Sequence, residues 1–107
     1  NGSVVLLLGV TYKANVSDQR ETPARPLAAH LAAMGADVRY FDPHVDTFTF
    51  NGRELIGEDD LEQALAMADI AVLVQAHDEI VGSGALNRVG RILDTRGVLS
   101  GNNVERL

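Results

Sequence analysis

Two uninterrupted apolar runs, Val4-Val5-Leu6-Leu7-Leu8 and Ile70-Ala71-Val72-Leu73-Val74, leave few folds open to this chain. A strand with one wet face alternates apolar and polar residues. These runs do not alternate, which is the pattern of strands covered on both faces. Both are far too short to cross a bilayer. The first run stops at Gly9, and a helix start follows at Glu21-Thr22-Pro23. Thr22 suits the N-cap and Pro23 the first helical position. Leu27, His30, Leu31 and Met34 then recur at helical spacing, and Gly35 is placed to end the helix.

Ala36 to Phe41 reads as a second strand, stopped by Asp42-Pro43. Strand, helix and strand form a βαβ unit, whose crossover is parallel and right-handed. Thr47 to Leu55 alternates weakly around Asn51-Gly52, a hairpin signal. Glu58-Asp59-Asp60 opens a helix over Leu61, Leu65 and Met67, because acidic residues suit the positive end of a helix. Ile80 to Val89 is a weaker helical segment, interrupted by Gly82 and Gly84. Arg91 to Asp94 reads as a fourth strand. Strands alternating with helices specify an α/β fold: a Rossmann-like, doubly wound, mostly parallel sheet in three α/β/α layers. Residues 1–107 are expected to form this single domain.

The formal net charge of −6 opposes general nucleic-acid binding, which needs a basic footprint. It leaves room for one local cationic site. The chain has no cysteine, so it can hold neither a disulfide nor a Cys-based zinc site, and a reducing compartment suits it. No basic-plus-apolar signal segment is present. Asn1 stands where an initiating Met would be, and Asn1-Gly2-Ser3 runs almost directly into a strand. The chain is therefore read as a fragment of a longer protein.

In doubly wound sheets ligands bind outside the carboxyl ends of the strands. That rule nominates a rim of Tyr12, Lys13, Arg20, Asp42, His77 and Arg96. Lys13 is either a solvated loop lysine or a phosphate ligand. Arg20 lies between Asp18 and Glu21, so a local salt bridge competes with a binding role. Arg96 follows a strand end and can fork onto a phosphate or a carbonyl. Gly9-Val10-Thr11 lacks the second and third glycines that let a backbone hug a dinucleotide pyrophosphate. Asp42 reads as a turn former before Pro43, with a ribose-binding acid as the alternative. His77-Asp78-Glu79 reads as the cap of the next helix, since one histidine beside two acids lacks metal-ligand spacing. His30 and His44 carry no functional signal. Ser3, Ser17, Ser83 and Ser100 lack the strand-turn-helix elbow of a hydrolase nucleophile.

Gly9-Val10-Thr11-Tyr12-Lys13, then Asn15, Asp18 and Arg20-Glu21-Thr22-Pro23, resemble the signature of the UDP-glucose/GDP-mannose dehydrogenase family in its C-terminal domain. Gly35-Ala36-Asp37-Val38, Tyr40-Phe41-Asp42-Pro43, Asp69 to Val74 and Asp94-Thr95-Arg96 extend the likeness over nearly the whole chain. The resemblance implies a cytoplasmic, NAD-dependent nucleotide-sugar 6-dehydrogenase of polysaccharide biosynthesis. Such an enzyme oxidises a sugar C6 hydroxyl to a carboxylate in two successive hydride transfers. An N-terminal NAD domain, a central dimerisation region and the catalytic cysteine would lie outside these residues, so this fragment alone would be inactive. The full-length protein would be a homodimer with a UDP-sugar substrate, without metal, membrane or nucleic acid. By position, Tyr12, Lys13 and Arg96 would contact the uridine diphosphate, and Arg20 would reach the NAD across the domain cleft. Glu21 and Thr22 would be structural. His77-Asp78-Glu79 and Asp94-Thr95-Arg96 look more like the UDP-N-acetylhexosamine branch, UDP-N-acetylmannosamine in particular. UDP-glucose and GDP-mannose 6-dehydrogenases are the alternatives within the family, and a noncatalytic Rossmann-like binding module is the alternative outside it.

Overall fold

Both apolar runs lie inside one sheet, with a strand on either side of each. In a computed structural model describing residues 2–88, 91–99 and 103–106, β1 (Val4–Leu8) pairs in parallel with β2 (Asp37–Phe41) on one side and β5 (Ile70–Leu73) on the other. Beyond β5 come β6 (Ile92–Asp94) and β7 (Val104–Arg106), both parallel, giving the order β2-β1-β5-β6-β7. Counting only these five strands, this is the doubly wound order 2-1-3-4-5. The chain reverses its direction of travel across the sheet between β1 and β5. Asn1, Val89 and Ser100, which the sequence reading used, lie outside the described residues.

Period-two geometry turns the apolar runs into two cores. Val5 and Leu7 of β1, Val38 and Tyr40 of β2 and Val72 of β5 face α1 (Ala24–Ala33). The same cluster takes Phe48 and Phe50 from a hairpin, β3 (Thr47–Phe50) and β4 (Arg53–Ile56). Leu6, Leu8, Ala71, Leu73 and Ile92 point the other way. They pack on Leu61, Ala64 and Leu65 of α2 (Leu61–Met67), on Ile80 of α3 (Asp78–Val81), and on Ala85 and Leu86 of a short 3₁₀ turn (Ala85–Arg88). The three-layer α/β/α arrangement follows directly. Each fully buried Leu of β1 contributes roughly 1.5–3 kcal/mol of transfer free energy.

Local chemistry places the ends of the elements near where the sequence puts them. Asp60 caps α2, its Oδ1 accepting the Gln63 N–H at 3.2 Å. Gly35, at φ 92°, follows the last residue of the α1 cap. The hairpin turns at Asn51 and Gly52, both at positive φ, as a tight two-residue connection requires. Thr22 Oγ1 accepts the Ala24 N–H at 3.2 Å, but Pro23, expected at the first helical position, itself takes the N-cap position, one residue before α1 begins.

Two expectations change. The helix expected over Ile80 to Val89 is broken into α3 and the 3₁₀ turn, with Gly82 to Gly84 between them. Gly84 sits at φ 77°, outside helical space. The strand β7 has no counterpart in the sequence reading. Its three residues, Val-Glu-Arg, carry too little apolar pattern to announce a strand.

Candidate functional site

All five strands of the sheet are parallel, so their carboxyl ends share one edge. Four loops meet there, in the spatial order of the strands they leave: after β2, after β1, after β5 and after β6. Tyr12, Lys13 and Arg20 ride on the loop after β1, and Arg96 on the loop after β6. The two loops flank the one that leaves β5. The gap between β1 and β5 is the topological switch point, where such sheets bind ligands.

Gly9 turns the chain out of β1 at φ 82°. Its N–H donates to the Phe41 carbonyl at 3.0 Å, and the Val74 and Gln75 N–H groups both donate to the Leu8 carbonyl. The loop beyond is held by polar contacts. Tyr12 N–H donates to the Asp18 carbonyl at 2.7 Å, and Gln75 Nε2 donates to the Tyr12 carbonyl at 2.9 Å. Thr22 Oγ1 donates to the Thr11 carbonyl, and Thr11 Oγ1 donates to the Lys13 carbonyl. The backbone of Tyr12 and Lys13 is thus fixed while both side chains face solvent; Tyr12 is 48% exposed. Lys13 Nζ lies 5.8 Å from the centre of the Tyr12 ring, within cation–π range.

Arg96 is held differently. Asp94, the last residue of β6, is buried and accepts three backbone N–H groups of the following loop. Oδ1 takes Arg96 and Gly97, and Oδ2 takes Leu99, each at 2.8 Å. Burial works against the Asp94 carboxylate, but these N–H donors outweigh it and hold its pKa below the usual value. Thr95 anchors the same loop to β5 through the Leu73 carbonyl, with Oγ1 at 2.6 Å. Among the described residues neither Lys13 nor Arg96 pairs with a carboxylate.

Arg20 resolves toward the local pair. Its Nε and Nη2 fork onto Asp18 Oδ1 and Oδ2 at 3.1 and 2.9 Å. That hydrogen-bonded guanidinium draws the Asp18 carboxyl down to about 2. The pair is solvent-exposed, so it orients Arg20 more than it stabilises the fold. The fork uses one edge of the guanidinium. The Nη1 edge makes no hydrogen bond among the described residues and stays available to a ligand.

Asp42 and His77 depart most from the sequence reading. Asp42 does form the expected turn, accepting the His44 N–H at 2.8 Å. Its side chain is also buried, with Oδ2 accepting the Val10 N–H at 2.8 Å and facing His77 Nε2 at 2.9 Å. Burial raises the Asp42 pKa, but the His77 hydrogen bond and the backbone donors more than compensate, leaving it lowered. His77 does take the N-cap position of α3, as expected, but its side chain makes no cap bond. Its ring is fully buried, and Asn15 Oδ1 instead accepts the Asp78 N–H at 2.9 Å. His44, unremarkable in the sequence, packs against the His77 ring with centroids 4.6 Å apart and reaches Glu79 at 3.2 Å. No cluster suited to a metal ion occurs among the described residues.

Among the described residues the loop after β1 forms no dinucleotide cradle. A Cβ on Gly9 would strike Gln75, and α1 begins only at Ala24, so no helix N-terminus opens directly from β1. Fold and rim together define a doubly wound α/β domain with cations presented at the carboxyl edge of its sheet, a class suited to anionic ligands. A sequence profile described as "UDP-glucose/GDP-mannose dehydrogenase family, UDP binding domain" matches residues 6–102. The chain belongs to this family.

Named relatives agree. The UDP-N-acetyl-D-mannosamine dehydrogenase of Methanocaldococcus jannaschii is 32% identical over 106 residues, covering 90% of this chain and 23% of that protein. The NDP-N-acetyl-D-galactosaminuronic acid dehydrogenase of Ralstonia nicotianae is 30% identical over 105 residues, covering 94% and 24%. The native structure of the UDP-N-acetyl-mannosamine dehydrogenase Cap5O from Staphylococcus aureus superposes with a TM-score of 0.73 at 26% identity, covering 99% of this chain and 26% of that one. The chain therefore spans about a quarter of the length of the curated relatives it matches. Among the described residues no helix is long and apolar enough to cross a membrane.

Proposed function

We propose that this domain binds the nucleotide diphosphate of a UDP-sugar within a cytoplasmic, NAD-dependent nucleotide-sugar 6-dehydrogenase. The observation that carries the reading is the pair of loops flanking β5, whose backbones are fixed while Lys13 and Arg96 are left without carboxylate partners among the described residues. A diphosphate needs such a site: charge-assisted donors held in place before the ligand arrives, so that little ordering entropy opposes binding. Lys13 supplies a point charge and Arg96 a planar fork. Tyr12, beside Lys13 and half exposed, offers a ring face to the uracil or ribose.

In this reading NAD, the hydride acceptor, is bound by an N-terminal domain, and a central region forms the homodimer; both lie outside these residues. Arg20 meets the cofactor across the cleft with the guanidinium edge that Asp18 leaves open. The domain performs no bond-making step. It holds the nonreacting end of the substrate, and that binding energy orients the C6 hydroxyl for oxidation to a carboxylate elsewhere. The N-acetylhexosamine branch is favoured, UDP-N-acetylmannosamine first. The relatives aligned over nine-tenths of the chain carry such names, whereas the UDP-glucose 6-dehydrogenase YwqF of Bacillus subtilis aligns over 42 residues.

The test is an activity screen of the full-length protein with NAD and a panel of UDP-sugars and GDP-mannose. Reduction of NAD with UDP-N-acetylmannosamine supports the reading in full. Turnover with GDP-mannose alone rejects the uridine assignment, and no turnover with any nucleotide sugar rejects the reading itself.

A further inference from the structure

The loop that presents Tyr12 and Lys13 has little apolar anchorage. From Tyr12 to Glu21 every residue is exposed or half-buried. Asn15, three residues beyond Tyr12, is instead tied to a buried imidazole. His77 Nδ1 accepts the Asn15 N–H at 2.7 Å. A nitrogen that accepts carries no hydrogen, so the ring hydrogen sits on Nε2. There it meets Asp42 Oδ2 at 2.9 Å, with Thr11 Oγ1 at 3.3 Å. Asn15 stands at φ 63°, a left-handed conformation that asparagine tolerates better than most L residues and that its surroundings hold in place. Its N–H on His77 and its Oδ1 on the Asp78 N–H are those surroundings.

Asp42 has to be a carboxylate for this to work. Oδ1 accepts the His44 N–H, and Oδ2 accepts both the Val10 N–H and the ring hydrogen. An amide at position 42 would set its NH₂ against one of these donors. If the NH₂ faces the ring, the ring must carry its hydrogen on Nδ1, which then opposes the Asn15 N–H.

We infer that Asp42 and His77 are a positioning pair: Asp42 selects the ring tautomer, and the unprotonated Nδ1 of the ring holds Asn15, two residues beyond Lys13, so that Tyr12 and Lys13 meet the diphosphate. The inference rests on the diphosphate-binding reading given above. Neither side chain touches the ligand, since both are fully buried. Their effect reaches substrate through Asn15 and Thr11, and through the backbone of Lys13.

The experiment uses the full-length enzyme with UDP-sugar and NAD, and the variants Lys13→Ala, Asp42→Asn, His77→Gln and His77→Asn. Gln can replace the donor at Nε2 but leaves nothing at Nδ1; Asn places an acceptor near Nδ1. Asp42→Asn and His77→Gln are expected to raise the UDP-sugar KM at least about fivefold, with kcat and the NAD KM within about twofold. His77→Asn is expected to recover most of the lost affinity. Ring ¹⁵N shifts of the wild-type protein, which need no variant, are expected to report hydrogen on Nε2. Hydrogen on Nδ1 in the wild type overturns the inference. So does an unchanged KM in Asp42→Asn and His77→Gln, or equal loss in His77→Gln and His77→Asn, when Lys13→Ala still raises KM. If Lys13→Ala itself leaves KM unchanged, the diphosphate reading has failed, and the positioning role fails with it.

Discussion

Gly9 lies so close to Gln75 that a Cβ built on it would stand 2.7 Å from the Gln75 carbonyl oxygen and 2.8 Å from the Gln75 Cβ. The contact packs the start of the loop after β1 against the start of the loop after β5. It also lets Gln75 reach the Tyr12 carbonyl. Gly9→Ala combines a left-handed φ with a steric overlap against backbone, and is expected to cost about 2–5 kcal/mol. Chemical denaturation compared with wild type measures it. A loss below about 0.5 kcal/mol would mean that the two loops can separate freely.

The cationic rim predicts a division of labour. Lys13→Ala and Arg96→Ala should each raise the UDP-sugar KM about tenfold or more, the loss of one charge-assisted hydrogen bond, with little change in the NAD KM. Arg20→Ala should do the reverse. Steady-state kinetics with each substrate varied in turn separates the two patterns, and a uniform effect on both KM values contradicts the assignment.

Asp94 supports Arg96 from beneath. Asp94→Ala leaves the N–H groups of Arg96, Gly97 and Leu99 without their shared acceptor. A loss of about 2–4 kcal/mol of stability is expected, since unsatisfied donors each cost 1 kcal/mol or more. Weaker UDP-sugar binding should accompany it. Thermal melts and KM measurements on the same variant report the two effects.

Acid should unfold the domain in a defined direction. Asp42 and Asp94 both have folded-state pKa values below the ordinary 3.8. Groups depressed in the folded state stabilise it fully above that ordinary value, and the contribution drains away as pH falls toward the depressed values. The contribution of these two carboxylates to the melting temperature should be complete above about pH 5 and be lost below about pH 4. Asp94→Asn should flatten that loss, and an unaltered slope would contradict the carboxylate's role.

Tyr40 sets the alkaline side. Burial, followed by the nearby Asp42 and Asp46 charges, pushes its hydroxyl up to about 12 from 10.0, and its Oη donates to the Val45 carbonyl at 3.2 Å. A raised folded-state value means stability present below pH 10 and lost as pH climbs from there toward 12. Ultraviolet titration of phenolate absorbance should show Tyr40 ionising only near 12; ionisation near 10 would show its site to be open to water.

Much of this was legible in the sequence because it rests on short-range chemistry. The runs at Val4 and Ile70 announce strands covered on both faces. Asn51-Gly52 announces the hairpin and Asp60 the start of α2. Tyr12, Lys13 and Arg96 were legible as rim residues because parallel strands put all their carboxyl ends on one edge. Arg20 was legible as a rim residue too, but only the loop's shape decided that Asp18, one of its two flanking acids, captures it. The turn at Asp42 was legible, but the burial of its second oxygen was not. The pattern of β7 was too short to read.

What the residues alone determined is the layer order and the place of the cationic edge, since periodicity, caps and turn residues act within a few positions of themselves. What only the folded chain decided is which polar groups meet. Asp42 and His77 are 35 positions apart and become partners because β1 lies between β2 and β5. Strand order is a cooperative outcome of the whole core, and no local stretch of sequence carries it.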